Sequence, residues 1–299
     1  MNYTRVVLGS QPEPWYLSTS SGVNSRRPGV SPYPDGVPTP PRSVAELLAL
    51  LTADPGRPRL TWYSGAGERV ELSGAVLDNW VCKTANLLVE EFDAAPGTHV
   101  LLDLPAHWRS VVWALAAWRV GACVVTSAFD VRAVEGTDAA EPSDGPGPAA
   151  DVVVTDRPSA HREARDLVVV TLAALARRFD GALPAGAVDA ASAVMTYSDR
   201  IGWSPAVDPA APALATPAGT TSHAALFSDA GDAAAGATAA ERVLLEGVDL
   251  PGALRKVLAV LAGAGSVVLL DVAMATALRA DAPRRTALVA SERVTSDLL

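Results

Sequence analysis

The chain has 299 residues, 49% of them hydrophobic and 19% charged, a globular composition long enough to bury a sizeable core as one large domain or two smaller ones. Its formal charge of −9 argues against nucleic acid or an anionic membrane surface as the main partner. No apolar run is long enough to span a bilayer, and the N-terminus lacks the apolar core of a secretory signal, so a cytoplasmic protein is expected.

The two cysteines, Cys82 and Cys123, lie in apolar stretches without zinc spacing, and the four histidines are scattered. Buried, reduced thiols and no metal site are expected.

Residues 1–40 stand apart. Val23 to Pro41 carries many prolines and few large apolar side chains, and proline excludes both helix interiors and central strands. This predicts a flexible leader. Regular patterning starts at Arg42, with Ser43 placed to cap a helix over Val44–Leu51. Leu60–Tyr63 and Arg69–Leu72 read as strands joined by a turn at Ser64–Glu68. Ser73 is the next cap, for a helix reaching about Glu91. A strand over Val100–Leu104, a helix from about His107 to Val120 and a strand over Ala122–Thr126 follow. In that helix Trp108, Val112, Leu115 and Trp118 recur at helical spacing, which assigns them to core packing, and Gly121 ends it.

Asp130 to Ala150, rich in Asp, Gly and Pro, predicts a surface loop. Asp151–Thr155 and Leu167–Thr171 read as two more strands with a short helix between them; Phe179 to Pro212 is less periodic. In the last third, a strand at Arg242–Leu245, a helix at Pro251–Ala262, a strand at Ser266–Leu270 and a helix at Val272–Ala280 are expected. A final strand at Thr286–Ala290 and a final short helix at Glu292–Leu299 complete the reading. Strand–helix–strand alternation with short connections makes the fold α/β, with mostly parallel sheets flanked by helices.

Several segments in order carry a family pattern. They are Leu60–Tyr63, Val70–Leu77, Asn86–Leu88, Pro96–Pro105 with its strand ending in Leu-Pro, and Trp113–Val125 with its Gly-Ala turn. Asp151–Asp156, Glu241–Leu245 and Leu261–Leu270 continue it. Over roughly residues 42–299 the chain resembles the N-terminal part of the adenylate-forming (AMP-binding, acyl- and aminoacyl-adenylating) enzymes. The domain expected is therefore a truncated AMP-binding-enzyme-like unit over 41–299, with room for two sub-sheets at about 41–180 and 210–299.

The resemblance implies a phosphate loop rich in Ser, Thr and Gly, followed by a Lys, whose N–H groups and hydroxyls cradle ATP phosphates. Its counterpart is Ala218–Ser222. Gly219, Thr220 and Thr221 match, while Ser222 stands where a Gly would and Ala224 and Ala225 occupy the Pro and Lys positions. Gly219, Thr220, Thr221 and Ser222 are thus the candidate contacts to ATP or AMP, against the plainer reading of a polar loop. The family's magnesium-binding Glu, ribose-binding Asp and catalytic Lys have no counterpart before Leu299. The resemblance as it stands implies a degenerate, non-catalytic domain retaining at most weak nucleotide or acyl-ligand binding. The alternatives are an adenylating enzyme completed by an oligomer or partner chain, and a ligand-free structural or interaction protein. Apolar surface left open by a truncated core would favour a homodimer.

Overall fold

The computed structural model describes residues 4–7, 40–126, 150–234 and 241–299. Local chemistry sets the first elements. Ser43 Oγ accepts from the Glu46 N–H to start α1 (Val44–Thr52), which buries Val44, Leu47, Leu48 and Leu51. Strands β2 (Pro58–Tyr63) and β3 (Glu68–Ser73) pair antiparallel across a turn in which Gly67 adopts φ 91°. Ser73 then accepts from the Val76 N–H and opens α2 (Gly74–Phe92), which ends where Asp93 turns left-handed. At the start of α2 a Cβ on Gly74 would lie 2.4 Å from the Leu51 carbonyl oxygen, so only glycine lets α2 approach α1 there.

The next segments build a parallel sheet. β4 (His99–Asp103) leads through α3 (Trp108–Arg119) to β5 (Cys123–Val125). β6 (Val152–Thr155), β7 (Asp166–Val169) and β8 (Val188–Asp189) extend the sheet on the other side of β4, and a short helix α4 (Ala190–Ala193) follows. β9 (Pro212–Thr216) and β10 (Gly219–Ser222) form a hairpin beside β5, and helix α5 (His223–Ala234) follows. The strand order is β10-β9-β5-β4-β6-β7-β8, parallel except for the hairpin.

The chain then returns to the first strands. β11 (Arg242–Glu246), α6 (Leu250–Ala262), β12 (Ser266–Leu270), α7 (Val272–Ala280), α8 (Ala282–Ser291) and β13 (Ser296–Asp297) follow in order. β12 pairs parallel with β2, and β1 (Thr4–Val7) pairs parallel with β3, giving the order β1-β3-β2-β12-β11-β13. The two sheets therefore interleave along the sequence, because the six-stranded one takes strands from residues 58–73 and from 242–297.

Helix α3 packs on β2 of one sheet and β4 of the other, and also meets α1, α2 and α6. Every residue from Trp108 to Trp118 is buried, including the polar Arg109 and Ser110 of the first turn; the rest of that run is apolar on all sides, as burial all round requires. A second apolar layer, with Met274, Ala275, Leu278 and Leu288, covers the far face of the six-stranded sheet.

Four expectations need correction. Thr286–Ala290 is not a strand but part of α8, fixed by Asp281, whose carboxylate accepts from the Arg284 N–H, and by a proline in the first turn. Glu292–Leu299 is not a helix: Ser296–Asp297 pairs with β11. Within the expected leader, Thr4–Val7 is a strand. Ser222 and its neighbours, expected as a loop, form β10. Most of the Pro-rich stretch and the loop expected at 130–150 lie outside the described residues.

Beneath the six-stranded sheet sits a buried ionic cluster. Glu292 Oε1 accepts from the Tyr63 hydroxyl at 2.5 Å and from Arg69 Nε at 2.8 Å, and Oε2 accepts from Arg242 Nη2 at 2.5 Å. Burial by itself would raise the Glu292 carboxyl. The hydrogen bonds from Arg69, Tyr63 and Arg242 and the charge of Arg69 outweigh it and hold the pKa at about 2.

Candidate functional site

Strands β4, β5, β6 and β9 run parallel, so their carboxyl ends share one edge of the sheet. From β4 the chain moves through α3 to β5 on one side, and then β6, β7 and β8 build outward from β4 on the other. The ends of β4 and β6 therefore flank a topological switch point, the place where open α/β sheets hold ligands. The β9–β10 turn stands on the same edge.

Gly219, Thr220, Thr221 and Ser222 are brought together as β10, with Gly219 opposite Thr216, Thr220 opposite Ala215 and Thr221 opposite Leu214. Two residues, Pro217 and Ala218, connect the strands. Proline has no N–H, and the Ala218 N–H donates to Thr216 Oγ1 at 3.2 Å. That hydroxyl in turn donates to the Gly219 carbonyl at 3.1 Å. Gly219 adopts φ 137°, a conformation that L side chains rarely take. Its conformation serves the turn.

The remaining hydroxyls have separate surroundings. Ser222 Oγ accepts from the Ala225 N–H at 3.2 Å and caps α5. Thr221 Oγ1 accepts from Arg255 Nη2 at 3.4 Å, so a cation from α6 approaches this strand although Ala225 occupies the expected Lys position. Thr220 is exposed. Ala224 and Ala225 fall in the first turn of α5. At this turn the Ala218 N–H is engaged by Thr216, while Arg255 approaches the strand that follows.

Sequence reasoning missed a polar cluster at the ends of β4 and β6. Asp103 is 3% exposed. Its Oδ2 accepts from Thr155 Oγ1 at 2.8 Å and lies 2.8 Å from His161 Nε2, and Oδ1 accepts from Arg157 Nη2 at 2.5 Å. Burial would raise this carboxyl. The hydrogen bonds from Thr155 and His161 and the charge of Arg157 outweigh burial and hold it below the usual carboxylate range. With both oxygens engaged, Asp103 fixes the loop after β6 onto β4. A cleft of about 460 Å³ opens beside it, lined in part by Leu101, Val153, Ser159 and His161. The readable signal was an Asp and a Thr closing adjacent parallel strands.

No family model matches the chain. Among solved structures, it is similar to an acetoacetyl-CoA synthetase from Streptomyces lividans, with 18% identity, a TM-score of 0.57, and coverage of 77% of this chain and 38% of that one. It is also similar to a fatty acyl-adenylate ligase from L. pneumophila, at 12% identity and TM-score 0.57, covering 86% of this chain and 44% of that one. A Brucella canis acyl-CoA synthetase gives 21% identity and TM-score 0.54, covering 76% and 46% respectively. The fold is that of adenylate-forming enzymes, and the chain spans less than half the length of each of these structures.

A curated protein from Mycobacterium tuberculosis (strain ATCC 25618 / H37Rv), described as a TIGR03089 family protein, is 38% identical over 206 residues, covering 68% of this chain and 77% of the relative. The chain belongs to that family.

Proposed function

We propose that residues 41–299 form an adenylate-forming-type domain that does not itself catalyse adenylation. The observation that carries this reading is the β9–β10 turn, where Pro217 has no N–H and that of Ala218 is taken by Thr216. Adenylation needs donors aimed at the phosphates as charge develops on them, and a two-residue turn of this kind supplies none. Nucleotide contact then rests on the exposed Thr220 hydroxyl and on Thr221 beside Arg255, and is weak.

The test combines pyrophosphate exchange with calorimetry of Mg-ATP and AMP, on the wild type and on a Thr220→Ala, Thr221→Ala variant. No exchange with acyl or amino-acid substrates is expected, and any nucleotide heat should be small and reduced in the variant. Exchange activity that the double variant abolishes would overturn the proposal.

A further inference from the structure

A second set of side chains gathers just past the carboxyl ends of β4, β7 and β8. Arg109, in the first turn of α3, is 8% exposed. Its guanidinium carbon lies 4.3 Å from the Trp108 ring centre and 5.6 Å from that of Trp80. Its Nη2 makes one long hydrogen bond, 3.4 Å, to the Ala173 carbonyl. Among the described residues no carboxylate pairs with it: Glu68, the acid whose charge it feels, accepts instead from the Ala174 N–H at 3.2 Å. Desolvation pushes the Arg109 pKa down to about 10, with Glu68 opposing. A buried cation without a counter-charge is costly, and the flanking indole faces offset part of that cost.

Arg109, Trp108, Trp80, Trp113 and Thr171 line one narrow cleft between α2, α3 and the segment after β7. Among the described residues, three buried polar atoms on those side chains have no partner: Arg109 Nε, Trp108 Nε1 and Thr171 Oγ1. Two are obligate donors, and the hydroxyl can donate. The cavity is about 10 Å³, which suits a single sphere of about the size of water. Trp80 and Thr171 are only partly buried, so they form its rim.

We infer that this cleft is a binding site for one small monovalent anion of halide size, held by the Arg109 guanidinium, the Trp108 indole N–H and the Thr171 hydroxyl. Neutral water could satisfy the hydrogen bonds but not the charge. Sulfate or a nucleotide phosphate is too large for the space. The cleft shares no lining residue with the β9–β10 turn and does not depend on how that turn is read.

Thermal unfolding of the full chain, titrated with sodium chloride against sodium gluconate at constant ionic strength, tests this. A saturable rise in midpoint is expected with chloride, about 2–4 °C at tenfold above half-saturation. Arg109→Gln should remove the rise. Should that variant not fold, Thr171→Val at the rim should raise the half-saturating concentration at least about threefold. Crystals soaked in bromide should give an anomalous peak beside Arg109 Nε. Equal midpoints in chloride and gluconate, or a bromide-free cleft holding only water, would overturn the inference.

Discussion

Glu292→Gln is the most informative single substitution for the six-stranded sheet. The wild-type side chain is 7% exposed and carries Arg69, Arg242 and Tyr63 on its two oxygens. Glutamine keeps the shape and one acceptor but leaves two guanidinium groups facing a neutral amide. The carboxyl falls from 4.5 to about 2 on folding, which corresponds to about 3 kcal/mol of stability at neutral pH. Measured costs of breaking buried pairs, about 3–5 kcal/mol, are of the same size. Because the folded pKa is the lower one, this contribution is complete above the unfolded value and is lost as pH falls towards the folded value. Urea unfolding followed by tryptophan fluorescence should therefore show the variant about 3 kcal/mol less stable at pH 7. The gap should close to less than roughly half of that by pH 3. A variant within about 0.5 kcal/mol of wild type at pH 7, or a gap that is the same at pH 7 and pH 3, would refute the reasoning.

Asp103→Asn should cost about 2 kcal/mol at pH 7 by weakening the bonds to Thr155, Arg157 and His161. Since this carboxyl is held low, the wild-type advantage should fade only as pH drops below the usual carboxylate range, again read by urea unfolding. Trp118→Phe removes the buried 2.7 Å bond from Nε1 to the Ala213 carbonyl, and should cost about 1–3 kcal/mol by the same assay. Burial, with the nearby Asp78 charge, pushes the Cys82 thiol up to about 11, and burial also raises Cys123. Both should react with a disulfide reagent at pH 8 at least about tenfold more slowly in the native protein than in urea.

The parts legible in the sequence are those where local signals and burial agree. Ser43 and Ser73 cap the helices that their positions announce, and the Trp108–Trp118 spacing marks α3. Its burial on every side could not be read there, because it follows from two sheets closing over one helix. α8 was misread because Thr286–Ala290 contains β-branched and apolar residues in a short run, where period alone does not separate strand from helix. The Asp281 cap with a proline in the first turn carried the better signal. The β9–β10 hairpin was missed because Pro212 and Pro217 look like strand breakers, although Pro212 begins an exposed strand end and Pro217 sits in the turn. The Asp103 cluster and the Arg109 cleft draw on residues some 60 positions apart, and no spacing rule gathers those.

The pairing of β12 with β2 has a kinetic consequence. Leu60 lies opposite Val267 in the ladder, so the six-stranded sheet closes only after about 200 intervening residues have been ordered or looped out. Until β12 arrives, the β2–β3 hairpin has one open edge made of Leu60, Thr61, Trp62 and Tyr63, a β-branched and aromatic segment of the kind that pairs with other chains. During synthesis that edge precedes its partner by most of the polypeptide. Refolding should accordingly be slow and sensitive to protein concentration, with losses to aggregation that begin at this hairpin.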